Sequence, residues 1–249
     1  MTSILKKLAQ GYLERQGFHL IHSSQHHPDL PEAFWKIWSQ ISSDTLTSPE
    51  RGFGLYQGIQ FIEQRKIEGD VVECGVYKGG SSMLAALGLL AAQSTRRNLW
   101  LYDTYEGMPA PSAEDRIASS GQLVGDRWTD GWWKSPLDHV RQRVEATGYP
   151  KEKLKFVVGD VAQTLKTQKP EKIALLRLDT DWYESTKIEL EVLYPLLAPG
   201  GILIIDDYGH FTGARKAVDE YFADLEVAGG GDPPLFHRLD YTGRMIQKA

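Results

Sequence analysis

The chain has 249 residues, 41% hydrophobic and 24% charged, which fits a large globular domain with an appended arm and excludes disordered, collagen-like and disulfide-scaffold classes. Twenty-eight basic residues against 33 acidic ones give a net charge of −5 with the cations scattered, so no footprint for a nucleic-acid backbone is present. A single cysteine, Cys74, can form no internal disulfide, no signal-peptide pattern precedes Leu20, and no apolar run approaches the ~20 residues of a membrane span, so a cytoplasmic protein with no membrane partner is expected.

Ile4, Leu5, Leu8, Tyr12 and Leu13 recur at helical spacing between Ile4 and Phe18, and a second helical pattern surrounds Phe34, Ile37, Trp38 and Ile41. Together they read as a helical arm, residues 1–48, whose Trp35 and Trp38 offer a surface for a homodimer. Ser48-Pro49-Glu50 then opens a helix through Tyr56, Ile59, Phe61 and Ile62: serine supplies a capping oxygen, proline suits the first helical position and glutamate the first turn.

From Gly69 the pattern changes to short aliphatic runs, at Val71–Cys74, Leu99–Tyr102, Leu154–Val158, Ile173–Leu178 and Ile202–Ile205, each bounded by Gly, Asp or Pro, as expected of parallel strands buried on both faces. Helical patterns at Met83–Ala92, Leu137–Thr147, Glu184–Leu197 and Gly213–Leu225 supply crossovers, so the alternation predicts a doubly wound α/β sheet. Leu235–Leu239, Tyr241-Thr242-Gly243 and Arg244–Gln247 read as a closing hairpin. Residues 104–136, with Trp128, Trp132 and Trp133, have no regular pattern; a lid over a substrate and simple packing on the sheet are equal readings.

Two constellations carry chemistry. Gly75 and Gly79 allow a sharp turn after the first strand, Ser81 and Ser82 are placed to cap the next helix, and the turn lacks the dinucleotide fingerprint and the P-loop lysine. Glu73 would repel a pyrophosphate, whereas Asp103 at the end of the next strand can accept two hydrogen bonds from a ribose diol, so a nucleoside without phosphates fits better. At the far strands, Asp179-Thr180-Asp181 and Asp206-Asp207 place four carboxylates at two strand ends, a repulsion that a hard divalent cation such as Mg²⁺ or Mn²⁺ would relieve. Arg177, inside its strand, reads as a buried ion-pair partner.

The segments Glu73–Ser81, Asp103-Thr104-Tyr105-Glu106-Gly107-Met108-Pro109, Leu176–Thr186 and Asp206-Asp207-Tyr208-Gly209 together resemble the macrocin O-methyltransferase family, over roughly residues 50 to 225. The resemblance implies a Rossmann-like class I methyltransferase fold, α/β, with a mostly parallel seven-stranded sheet and helices on both faces, occupying residues 49–249 with a lid-like segment at 104–136. It implies S-adenosylmethionine as methyl donor and a hydroxyl of a sugar or glycosylated natural product as acceptor. It places the methionine part of the donor at Glu73, Gly75 and Ser81, the ribose at Asp103 and the adenine at Asp160, where Gly159–Val161 departs from the family pattern. Asp179, Asp206 and Asp207 match metal ligands and Asp181 a general base, with His210 as the alternative base. From below, a bound cation would lower the pKa of a hydroxyl, and Asp181 could accept its proton or stand behind the ligands. A metal-dependent glycosyltransferase and a non-catalytic nucleoside-binding protein are the competing functions, and an amine or aromatic hydroxyl stays open as acceptor.

Overall fold

The computed structural model describes residues 12–13, 15–16, 27–229 and 234–249. The chain divides into two compact units, residues 1–35 and 36–249. In the first, residues 12, 13 and 15 are helical and residue 16 is a turn; the rest of the expected helix from Ile4 to Phe18 lies outside the described residues. Helix α1 (Glu32–Ile41) spans the boundary.

The second unit opens with α2 (Pro49–Gln64), which starts as its sequence directs: the Ser48 hydroxyl accepts the Arg51 N–H and Pro49 takes the first position. There follow β1 (Asp70–Cys74), α3 (Gly80–Ala91), β2 (Leu99–Asp103), α4 (Leu137–Glu145), β3 (Leu154–Val158), α5 (Val161–Thr164), β4 (Ile173–Leu178), α6 (Tyr183–Leu193), β5 (Leu197–Ile205), α7 (Thr212–Val227), β6 (His237–Arg238) and β7 (Arg244–Gln247). The strands form a seven-stranded sheet in the order β3-β2-β1-β4-β5-β7-β6. The first five are parallel, and β7 inserts antiparallel between β5 and β6. Because β1 pairs with both β2 and β4, the direction of winding reverses there, and the carboxyl ends of β1 and β4 open a crevice. Val72, Ile173, Leu176 and Leu203 are fully buried in the sheet.

Three local expectations are corrected. The helix expected over Glu184–Leu197 ends at Leu193; Pro195 lacks the N–H a continuing helix needs, and the chain passes through a short 3-10 turn at Tyr194–Leu196 into a strand that begins at Leu197, earlier than expected. The N-cap of α3 is Gly79 at φ +91° with no side-chain cap, so Ser81 and Ser82 lie in the first turn instead. Of the strand expected over Leu235–Leu239 only His237–Arg238 pairs.

Candidate active site

One cleft lies along the carboxyl ends of the central strands, lined from the β1 and β2 side by Gly75, Tyr77, Ser81 and Asp103, from β3 by Asp160, and from β4 and β5 by Asp179, Asp181, Asp206 and Asp207. Eight of the nine residues singled out from sequence thus meet in one place. Glu73 does not line the cleft; it is buried behind it, where Ser82 Oγ donates to Oε2 and Arg177 Nη1 donates to Oε1 at 2.8 Å.

Asp103 ties the turn to β2. Its Oδ2 accepts the Val76 and Tyr77 N–H groups at 2.7 and 3.1 Å and its Oδ1 accepts the Tyr105 N–H at 2.7 Å; the Thr104 hydroxyl, 3.5 Å from Oδ1, lies closer to the Gly107 carbonyl at 2.6 Å, so one of about four acceptor sites is left for a ribose hydroxyl. Gly75, at φ +85°, packs so closely on β4 that a Cβ would collide with the Asp179 carbonyl oxygen. The glycine serves a backbone contact between the two halves of the cleft as well as the turn itself. Asp160 Oδ1 accepts the Ala162 N–H at 2.8 Å and so caps α5 at the cleft rim.

The carboxylates are not bare. Arg177, 3% exposed, reaches Glu73, Asp179 Oδ2 at 2.7 Å and Asp206 Oδ1 at 2.5 Å. Arg51 of α2 joins the other Asp206 oxygen and holds Asp240 Oδ2 at 2.9 Å. Burial works against both guanidinium charges, but the carboxylates outweigh it and raise both pKa values. Arg177 is the buried ion-pair partner its position in an apolar strand announces. Arg51 gave no such signal, since nothing in a helix sequence shows that one arginine points into a distant acidic centre. Thr242 Oγ1 donates to the Asp206 carbonyl at 3.0 Å, so the turn before β7 completes this wall.

With Asp206 engaged by two arginines, the carboxylates with an oxygen each within 4.8 Å of one another are Asp179, Asp181 and Asp207. Burial, then the neighbouring carboxylates, push Asp181 well above the usual carboxylate range, and Asp179 and Asp207 rise for the same reasons against the pull of the arginines. Asp181 sits at φ +67°, and the Trp182 N–H bonds back to the Thr180 carbonyl at 2.7 Å, closing a γ-turn that stores strain where the carboxyl is displayed. This all-oxygen, mutually repelling donor set fits a hard divalent cation.

The segment 104–136 is stitched to both carboxylate loops. Asp115, fully buried, accepts the Tyr183 N–H at 2.8 Å, Pro109 O accepts the Trp182 indole N–H at 2.9 Å, and Ile117 bridges Phe211. Trp132 packs with Val124, Trp182 and Phe211 beneath, while Trp133 stacks on it at 4.5 Å and faces the cleft, 37% exposed. Trp132 thus packs on the core beneath, while Trp133 lines the cleft. His210 lines the cleft edge-on to Phe211, with the Tyr241 hydroxyl 3.4 Å from Nδ1.

A sheet of this order, with a cleft at the switch between β1 and β4 and carboxylates at the ends of β4 and β5, has the architecture of the class I methyltransferases. The profile of the macrocin-O-methyltransferase (TylF) family matches residues 38–246. The chain belongs to that family and is an S-adenosylmethionine-dependent O-methyltransferase. It is 33% identical over 217 residues to the 8-demethyl-8-(2,3-dimethoxy-alpha-L-rhamnosyl)-tetracenomycin-C 4'-O-methyltransferase of Streptomyces olivaceus, covering 87% of this chain and 80% of that one. It is also 33% identical over 178 residues to the mycinamicin III 3''-O-methyltransferase of Micromonospora griseorubida, covering 71% and 69%. Among solved structures, the O-methyltransferase NovP superposes with a TM-score of 0.72 at 28% identity, covering 83% of this chain and 82% of that one. Membership sets aside the glycosyltransferase reading. No helix among the described residues is long and apolar enough to cross a membrane.

Proposed function

We propose that this enzyme methylates a hydroxyl on the sugar of a glycosylated natural product with the help of a bound divalent cation, Mg²⁺ or Mn²⁺. The observation that carries the proposal is the meeting, in one cleft, of a nucleoside half at Gly75, Ser81, Asp103 and Asp160 with a carboxylate half at Asp179, Asp181 and Asp207. A sugar acceptor is supported by relatives named for rhamnosyl-tetracenomycin and mycinamicin substrates. It is also supported by Leu46, Trp133 and Tyr241, large apolar side chains that stay exposed on the cleft wall and suit the C–H faces of a sugar and an apolar aglycone.

Asp103 and Asp160 orient the nucleoside, and Glu73 acts through Arg177 and Ser82 instead of touching the donor. Asp179 and Asp207 would hold the cation, with Asp206 beside them, paired to Arg51 and Arg177. When bound, the cation lowers the pKa of the acceptor hydroxyl and S-adenosylmethionine supplies an electrophilic methyl. Asp181, its carboxyl against Asp207, takes the proton that the acceptor hydroxyl gives up. Trp133 and the residues stitched beneath it keep water from the transfer. Residues 49–249 carry the reaction in this reading, in a cytoplasmic homodimer joined through the arm, which sizing after truncation before Thr47 would test.

Isothermal titration with S-adenosylmethionine and S-adenosylhomocysteine, each with Mg²⁺ and after chelation, tests the site, with Asp103→Ala as control. Micromolar binding that the variant loses is expected, and absence of binding under all conditions would overturn the donor assignment. Methyl transfer to a panel of glycosides and the matching free aglycones then tests the acceptor: transfer only to aglycones would overturn the sugar.

A further inference from the structure

Glu189 lies on α6 with no exposed surface, and nothing in the proposed reaction uses it. Its Oε2 accepts a hydrogen bond from Thr180 Oγ1 at 3.1 Å, and Oε1 has no partner. A fully buried carboxyl left partly unsatisfied costs free energy that an apolar side chain in the same place would not. The other buried residues of α6 are Thr186, Leu190 and Leu193, so Glu189 is the one buried carboxyl on this helix. An orphaned buried polar atom of this kind calls for a role.

Thr180 supplies it. The residue stands between Asp179 and Asp181, its carbonyl closes the strained γ-turn across Asp181 and also accepts the Ser185 hydroxyl at 3.3 Å, and its side chain is held from below by Glu189. An aspartate at φ +67° persists only where its surroundings over-determine it. We propose that Glu189 is a positioning residue which, through Thr180 Oγ1, fixes the turn that presents Asp179 and Asp181 to the cleft. Neither the acidic motif nor the glycine turn contains this group; it comes from the helix behind them. In one arm of its test the proposal rests on the cation site, and the other arm is independent of it.

The test compares Glu189→Leu, Glu189→Gln and Thr180→Val with the wild type by crystal structure and by titration of Mn²⁺ into protein saturated with S-adenosylhomocysteine. The leucine variant is expected to fold and to keep its affinity for S-adenosylhomocysteine within about twofold, while Asp181 leaves the positive-φ turn and the Mn²⁺ dissociation constant rises roughly tenfold or more. Glutamine can still accept from Thr180, so Glu189→Gln should restore both properties, and Thr180→Val should match Glu189→Leu with no further loss in the double variant. Asp181 unmoved and Mn²⁺ affinity unchanged in Glu189→Leu would overturn the proposal. So would a glutamine variant as impaired as the leucine one, which would mark a packing defect. If the wild type takes no Mn²⁺, the cation assignment fails by itself, and the Asp181 backbone in the variant structures decides the role of Glu189.

Discussion

Burial raises the Glu189 carboxyl from an ordinary 4.5 to about 8, with the bond from Thr180 opposing the rise, so the folded protein holds this proton more tightly than the unfolded chain does. Its contribution to stability is therefore complete below 4.5 and is lost progressively as pH climbs toward 8. At 1.36 kcal/mol per pKa unit, the loss between pH 5 and pH 8 is roughly 3 to 4 kcal/mol, or on the order of 10 °C in the thermal midpoint of a chain this size. Glu189→Gln removes the proton and keeps the shape. Other groups titrate over the same interval, so the informative quantity is the difference between wild type and variant, from urea unfolding at half-unit steps between pH 5 and 8. The wild type should lose the stated amount relative to the variant. Parallel stability curves would refute the reasoning, because they would mean that Glu189 is ionised and compensated in the fold.

Arg177→Met should cost about 3 to 5 kcal/mol in chemical denaturation, because it leaves the buried Glu73 and the cleft-edge Asp179 without a cation and Asp206 with Arg51 alone. Gly75→Ala forces a side chain into φ +85° against the Asp179 carbonyl, with an expected loss of about 2 to 4 kcal/mol and weakened S-adenosylhomocysteine binding by calorimetry. Trp133→Ala should raise the KM for a glycoside acceptor roughly five- to tenfold and leave S-adenosylhomocysteine affinity unchanged, since only the acceptor wall is altered. Chelation should abolish methyl transfer and Mn²⁺ restore it, read by S-adenosylhomocysteine release.

The sheet was legible because its central strands are short, mostly aliphatic runs with a single charge inside β1 and β4, followed by Gly or Asp, and the carboxyl-end acids follow from the same runs. What escaped had long-range causes. Leu197 reads as the end of a helix and the strand as starting at Ile202, yet pairing with β4 on one side and Lys248 on the other draws Leu197–Gly201 into β5. Arg51 reaches Asp206 across 155 residues with nothing in its helix to announce it, and although Arg177 reads as a buried ion-pair partner, its partner Glu73 lies 104 residues away and the sequence does not name it. Glu189 reads as one polar residue on a helix, and only the fold shows it facing inward toward Thr180.

The contact of Arg51 with Asp240 spans 189 residues, and Asp240 shares its turn with the Thr242 that anchors the Asp206 carbonyl. During synthesis, a nascent chain that has reached residue 239 already holds β1 to β5 and all four strand-end acids, yet lacks the strand that covers the β5 edge and the acid that orients Arg51. The centre thus cannot be finished before nearly all of the domain has left the ribosome, and an open parallel edge persists until then. Pausing, tags or fusions placed at this last turn should therefore affect the yield of active enzyme more than equal changes at the tip around Gly148, which stands in open space.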